Sequence, residues 1–126
     1  MTKRRTARRA PELLDVVLDV VVRFREHRAY GTREKAVRAL RRRHPGLAVD
    51  EYDALFERHL AILDATVAAV RSYVARVKPI SGTGFAEFTD IDPESVLGEV
   101  RAAFPDESQE SIELFYEWVV YWHYLR

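Results

Sequence analysis

The chain contains no cysteine. That excludes a disulfide framework, a thiolate metal site and a cysteine nucleophile, and it agrees with a reducing compartment. Glycine and proline are scarce, five of each in 126 residues, so each break in the pattern carries information. Long apolar runs are missing as well. Leu13 to Val22 is interrupted by Asp15 and Asp19, and Leu114 to Leu125 is too short for a bilayer and contains Glu117 and His123. The basic start, Met1 to Arg9, leads into no apolar stretch of the signal-peptide kind. These absences predict a cytoplasmic protein with no membrane partner.

Catalytic and metal-binding patterns are equally lacking. The four histidines, His27, His44, His59 and His123, form no HExxH pair and no Glu-x-x-His pair of the di-iron type. His59 flanks an apolar seam and His123 an apolar helix side, the places of core or interface histidines rather than ligands. Ser81-Gly82-Thr83-Gly84 has the suppleness of a phosphate loop, but it follows a helix and lacks the Gly-Lys-Ser/Thr ending. Asp15/Asp19 and Asp53/Glu57 are i,i+4 neighbours on polar faces, as solvated helices commonly show. The expectation is a non-enzymatic protein with no catalytic residues, no metal, no cofactor and no small-molecule substrate.

What is present is enough apolar residue for a core: 48% hydrophobic against 32% charged, an ordinary globular balance. The length fits one domain, read here as a disordered basic arm over 1–10 and a helical domain over 11–126. The zero net charge hides a polarity. Residues 1–44 hold 14 Lys/Arg and 5 Asp/Glu, and residues 45–126 hold 6 and 15, so the halves carry +9 and −9. Such a split marks a surface for nucleic acid or an acidic partner, unless basic and acidic helices pack together and the field cancels.

Periodicity predicts an all-α fold, a five-helix bundle. Pro11-Glu12 opens a first helix reaching Ala29, with Leu14, Val17, Val21 and Phe24 as its stripe, widened by Leu13, Val16 and Val20. Asp15, Asp19 and Arg23 share its polar face. Tyr30-Gly31-Thr32 is a stop and a cap. The second helix, Arg33 to His44, has a small apolar face (Ala36, Val37, Leu40) and should be the shortest and most exposed; Pro45-Gly46 ends it. Asp50 caps a long third helix to Val77, in which Phe56, Leu60, Leu63, Val67, Val70, Val74 and Val77 make a heptad seam beside an acidic stripe of Asp50, Asp53, Glu57 and Asp64. Residues 79–92 are irregular. Asp92-Pro93 starts a fourth helix with Val96, Leu97, Val100 and Phe104 buried, and a fifth begins near Glu107 and runs to the C-terminus.

The fifth helix is the unusual one. At ~100° per residue, Ile112, Phe115, Tyr116, Val119 and His123 fall on one side and Leu114, Trp118, Tyr121 and Leu125 nearly opposite, with Trp122 between. A helix apolar all round is central or shared with a partner, and Trp and Tyr are enriched at interface hot spots. The leading expectation is an interaction or adaptor protein acting through a homodimer or a protein partner, by way of Leu114, Trp118, Tyr121, Trp122 and Leu125, with the third-helix seam as a second contact. Two alternatives stand beside it. One is a nucleic-acid-associated regulatory protein that grips phosphate through Arg4, Arg5, Arg8 and Arg9 of the arm and Arg38, Arg41 and Arg42 of the second helix. A helix-turn-helix fits poorly there, because the would-be recognition helix opens with carboxylates. The other is an acidic inhibitor or immunity-type protein that uses the −9 half to block a basic enzyme.

Overall fold

The computed structural model describes residues 13–76 and 91–122. They form five helices and no strand among the described residues: α1 (Leu13–Glu26), α2 (Arg33–Arg43), α3 (Val49–Arg76), α4 (Pro93–Ala103) and α5 (Gln109–Val120). The all-α, five-helix reading is the architecture found. The chain divides into two compact units, residues 1–60 and 61–126.

In the first unit α1 and α2 pack against each other. Val16, Val17, Val20, Val21 and Val22 of α1 are buried, as are Ala36, Ala39 and Leu40 of α2. Helix α1 stops at Glu26, three residues short of the expected Ala29. The chain turns because Arg28 and Tyr30 take positive φ values of 56° and 71°, which the amide of Ala29 locks by bonding back to the Arg23 carbonyl (2.9 Å). Gly31 follows at φ 83°, and Thr32 caps α2 as expected, its hydroxyl accepting from the Lys35 amide. At 11 residues α2 shares its short length with α4 rather than being shorter than every other helix. The burial pattern leaves the two about equally exposed.

The junction between α2 and α3 rests on one tyrosine. Gly46 takes φ 113°, which only glycine adopts without strain. The buried Tyr52 hydroxyl donates to the His44 carbonyl (2.6 Å) and accepts from the Leu47 amide (3.0 Å). Helix α3 begins at Val49, so Asp50 lies in the first turn rather than at the cap. Glu51 does the capping by accepting from the Ala48 amide at 2.8 Å.

The expected seam is real but is used inside the chain. Phe56, Leu60, Leu63 and Val70 are buried, and Val67 and Val74 half-buried; Val77 lies outside the described residues. That corrects the expectation of a second partner contact there. The buried face is also wider than the seam, taking in Tyr52, His59, Ile62, Thr66 and Ala69. Its polar members bond to their own helix. Thr66 donates to the Ile62 carbonyl at 2.7 Å, and His59 Nδ1 lies 2.9 Å from the Leu55 carbonyl.

In the second unit α4 and α5 pack together. Asp92 caps α4, accepting from the Glu94 amide and the Ser95 hydroxyl, with Pro93 at the first position. Val96, Leu97 and Val100 are buried and Phe104 half-buried. Helix α5 starts two residues later than expected because Ser108, not a residue near Glu107, accepts from the Ser111 amide as its cap.

Two predictions follow from these burials. Leu63→Asp places a charge at a position with no solvent exposure and should cost about 4 kcal/mol or more; Val37→Asp, at a half-buried site, should cost about 1–2 kcal/mol in urea unfolding. Tyr52→Phe and Tyr116→Phe delete the same atom with opposite results. The first strands two backbone groups and should cost about 1–3 kcal/mol. The second removes a buried hydroxyl with no hydrogen-bond partner among the described residues and should leave stability unchanged or raise it.

Candidate functional site

Helix α5 divides as its wheel predicts. Ile112, Phe115, Tyr116, Val119 and Val120 are buried, and Leu114 and Trp118 half-buried. Tyr121 and Trp122 are exposed, at 49% and 42%. Only Val49 joins them as an exposed large apolar side chain among the described residues.

The three rings form a cluster. Trp118 and Trp122, one turn apart, stack with centroids 5.9 Å apart and planes at 30°. Tyr121 meets Trp122 edge-on at 5.7 Å and 82°. Such pairs contribute about 0.5–1.5 kcal/mol beyond burial, so the rings hold one another in a fixed arrangement while facing water. The backbone widens here into a π-type turn over 121–122, and the Tyr121 amide is shared between the Glu117 and Trp118 carbonyls. Widened turns of this kind recur at functional positions. Glu110 and Glu117 are exposed and form no ion pair among the described residues. Leu125 and His123, expected on this helix, lie outside the described residues.

The other side of the α5 wheel is dry. The Tyr116 ring is 6% exposed. Burial pushes its phenol up to about 12, and the Asp92 carboxylate and Tyr73 add to the shift. Ser111 Oγ and Arg101 Nε are likewise buried with no hydrogen-bond partner among the described residues.

On α2 the arginines divide by role. Arg33 forks onto Glu57 of α3 at 2.9 and 2.8 Å. Arg43 pairs with Asp19 of α1, which Arg23 also holds at 3.0 Å. Burial alone would raise the Asp19 carboxyl; the hydrogen bonds and charges of Arg43 and Arg23 outweigh it and hold the group below its ordinary value. Arg38, Arg41 and Arg42 are exposed and hold no ion pair among the described residues. Arg4, Arg5, Arg8 and Arg9 lie outside the described residues. Of the acidic stripe, Asp50, Asp53, Glu57 and Asp64 are all exposed, with Glu57 taken by Arg33. The charge split is therefore partly spent within the first unit, where the Arg33–Glu57 bridge joins the basic half of the sequence to the acidic half.

One feature had no sequence signal. Between α2 and the start of α3 lies an open hollow of about 150 Å³, walled by Val37, Arg38 and Arg41 from one helix and Val49, Tyr52 and Asp53 from the other. Two helices with separate periodicities make it, so no single wheel displays it. No group of three or more His, Cys, Asp or Glu placed to hold a metal occurs among the described residues.

The raised phenol of Tyr116 gives a pH dependence. A group whose folded value lies above its unfolded value of 10.0 contributes stability below pH 10, and that contribution is lost as pH rises through about 12. The ultraviolet difference titration of the wild type against Tyr116→Phe should show one phenol with a midpoint near 12; a midpoint near 10 would mean a solvated hydroxyl. Comparison of the whole chain with protein-family models, with curated proteins and with solved structures found no match in any of the three.

Proposed function

We propose that the protein is a non-enzymatic interaction protein whose binding surface is the aromatic end of α5, and that it acts as a homodimer. The observation that carries this reading is the exposure of Tyr121 and Trp122 in a ring cluster with the half-buried Trp118. A solvated cluster of this kind loses hydration free energy that covering it would recover, at about 25 cal/mol per Å² of apolar surface. Large exposed aromatic patches mark association sites. Their rotamers are already restrained by mutual stacking, so little further entropy is lost on docking.

Charge supports the same assignment. The patch is flanked by the exposed carboxylates Glu110 and Glu117, which favour a partner surface carrying cations and disfavour a phosphate backbone. The core of such an interface would be the indoles, with the carboxylates on its rim setting orientation and on-rate.

Sedimentation equilibrium tests the reading. The wild type should self-associate with a dissociation constant in the micromolar range, and Trp118→Ser/Trp122→Ser should be monomeric with an unchanged far-ultraviolet spectrum. A wild type that remains monomeric at high micromolar concentration, or a double variant that associates as well as the wild type, rejects it.

A further inference from the structure

We infer that the hollow between α2 and α3 is the receptor for the aromatic end of α5 from a second copy of this chain. The inference rests on the interaction reading above and adds what that reading leaves open, the surface that receives the rings.

Size is the first argument. The hollow holds about 150 Å³, and an apolar cavity of about that volume takes one six-membered aromatic ring. Its apolar lining comes from Val37, Tyr52 and Val49. Val49 is 60% exposed, more than either exposed ring of α5. The Tyr52 hydroxyl is already committed to His44 and Leu47, so this residue offers the hollow its ring and no unspent donor.

Chemistry is the second. Arg38 and Arg41 line the hollow. The arginines at either end of the same helix, Arg33 and Arg43, are spent on carboxylates of the first unit, while Arg38 and Arg41 have no ion pair among the described residues. A guanidinium stacks on an aromatic face and forks onto a carboxylate, and is the preferred cation at interfaces for both reasons. The α5 end presents those two things together: the Trp118–Tyr121–Trp122 rings and, on the preceding turn, the exposed Glu117. Asp53 at the hollow supplies an acceptor for an indole N–H, a group that can only donate.

The occupant follows from charge. The chain is neutral overall but +9 over residues 1–44 and −9 over 45–126. Two copies therefore attract when the basic helix of one meets the acidic, aromatic helix of the other, and repel when like meets like. A second copy carries the complementary ring and carboxylate that the hollow lacks. A phosphate backbone would satisfy Arg38 and Arg41 but has no use for Val49 or for a ring-sized apolar space.

A charge exchange tests it on the full-length chain by sedimentation at moderate salt. Arg38→Glu/Arg41→Glu and Glu117→Arg alter exposed side chains, so both variants should keep the wild-type helical spectrum and melting temperature. Each alone should associate at least about tenfold more weakly than the wild type, because like charges meet across the contact. An equimolar mixture should recover to within about threefold of the wild type, since the new glutamates at the hollow then face the new arginine on α5.

A mixture that stays dissociated, or an Arg38→Glu/Arg41→Glu variant that associates normally, overturns the hollow as receptor. So does a variant that associates normally but loses retention of a 20-base-pair duplex at low salt, which would assign these arginines to phosphate. If the arginine variant associates normally while Trp118→Ser/Trp122→Ser does not, only the receptor assignment falls. A monomeric wild type removes the interaction reading as well.

Discussion

The fold depends on the breadth of the buried face of α3. A helix of 28 residues that buried only an every-third-and-fourth seam would need one neighbour. This one also buries Tyr52, His59, Ile62, Thr66 and Ala69, so apolar side chains must meet it from more than one direction. Valine-rich α1 and the apolar sides of α4 and α5 are the supply the sequence provides. The polar members of the buried face are tolerated because Thr66 and His59 bond to carbonyls of their own helix, which removes most of the penalty of burying them.

Much of this architecture could be read from the residues because its signals are local. Thr32 and Asp92-Pro93 are caps whose chemistry acts within one turn, and both lie where they were expected. The valine stripe of α1 and the two-sided wheel of α5 are likewise properties of single helices. The early end of α1 was hidden. Arg28 and Tyr30 take left-handed backbone that their side chains do not call for, and the Ala29–Arg23 bond that holds them is a backbone feature. The wide face of α3 was hidden for a different reason, since threonine and histidine read as surface until their intrahelical bonds are seen.

The candidate surface divides in the same way. Its convex part, the rings of α5, could be found with a wheel because one helix carries it. Its concave counterpart could not. The hollow arises only when Val37, Arg38 and Arg41 are set against Val49, Tyr52 and Asp53, a juxtaposition created by the Tyr52-pinned turn at Gly46. The arginines were visible as a basic face, but their division into paired ends and unpaired middle was not, because the partners, Glu57 and Asp19, are each 24 residues away.

That division has a mechanical side. A short helix held only by greasy contacts can roll about its own axis at little cost, since one alanine or valine substitutes for another underneath. Helix α2 is tied at its first residue to α3 and at its last to α1. A rod clamped to different supports at its two ends has no free rotation left, so whatever its middle residues present to solvent is presented at a constant azimuth. Strong acid, by neutralising Asp19 and Glu57, would release both clamps together and let the arginine face swivel while the apolar contacts beneath it survive.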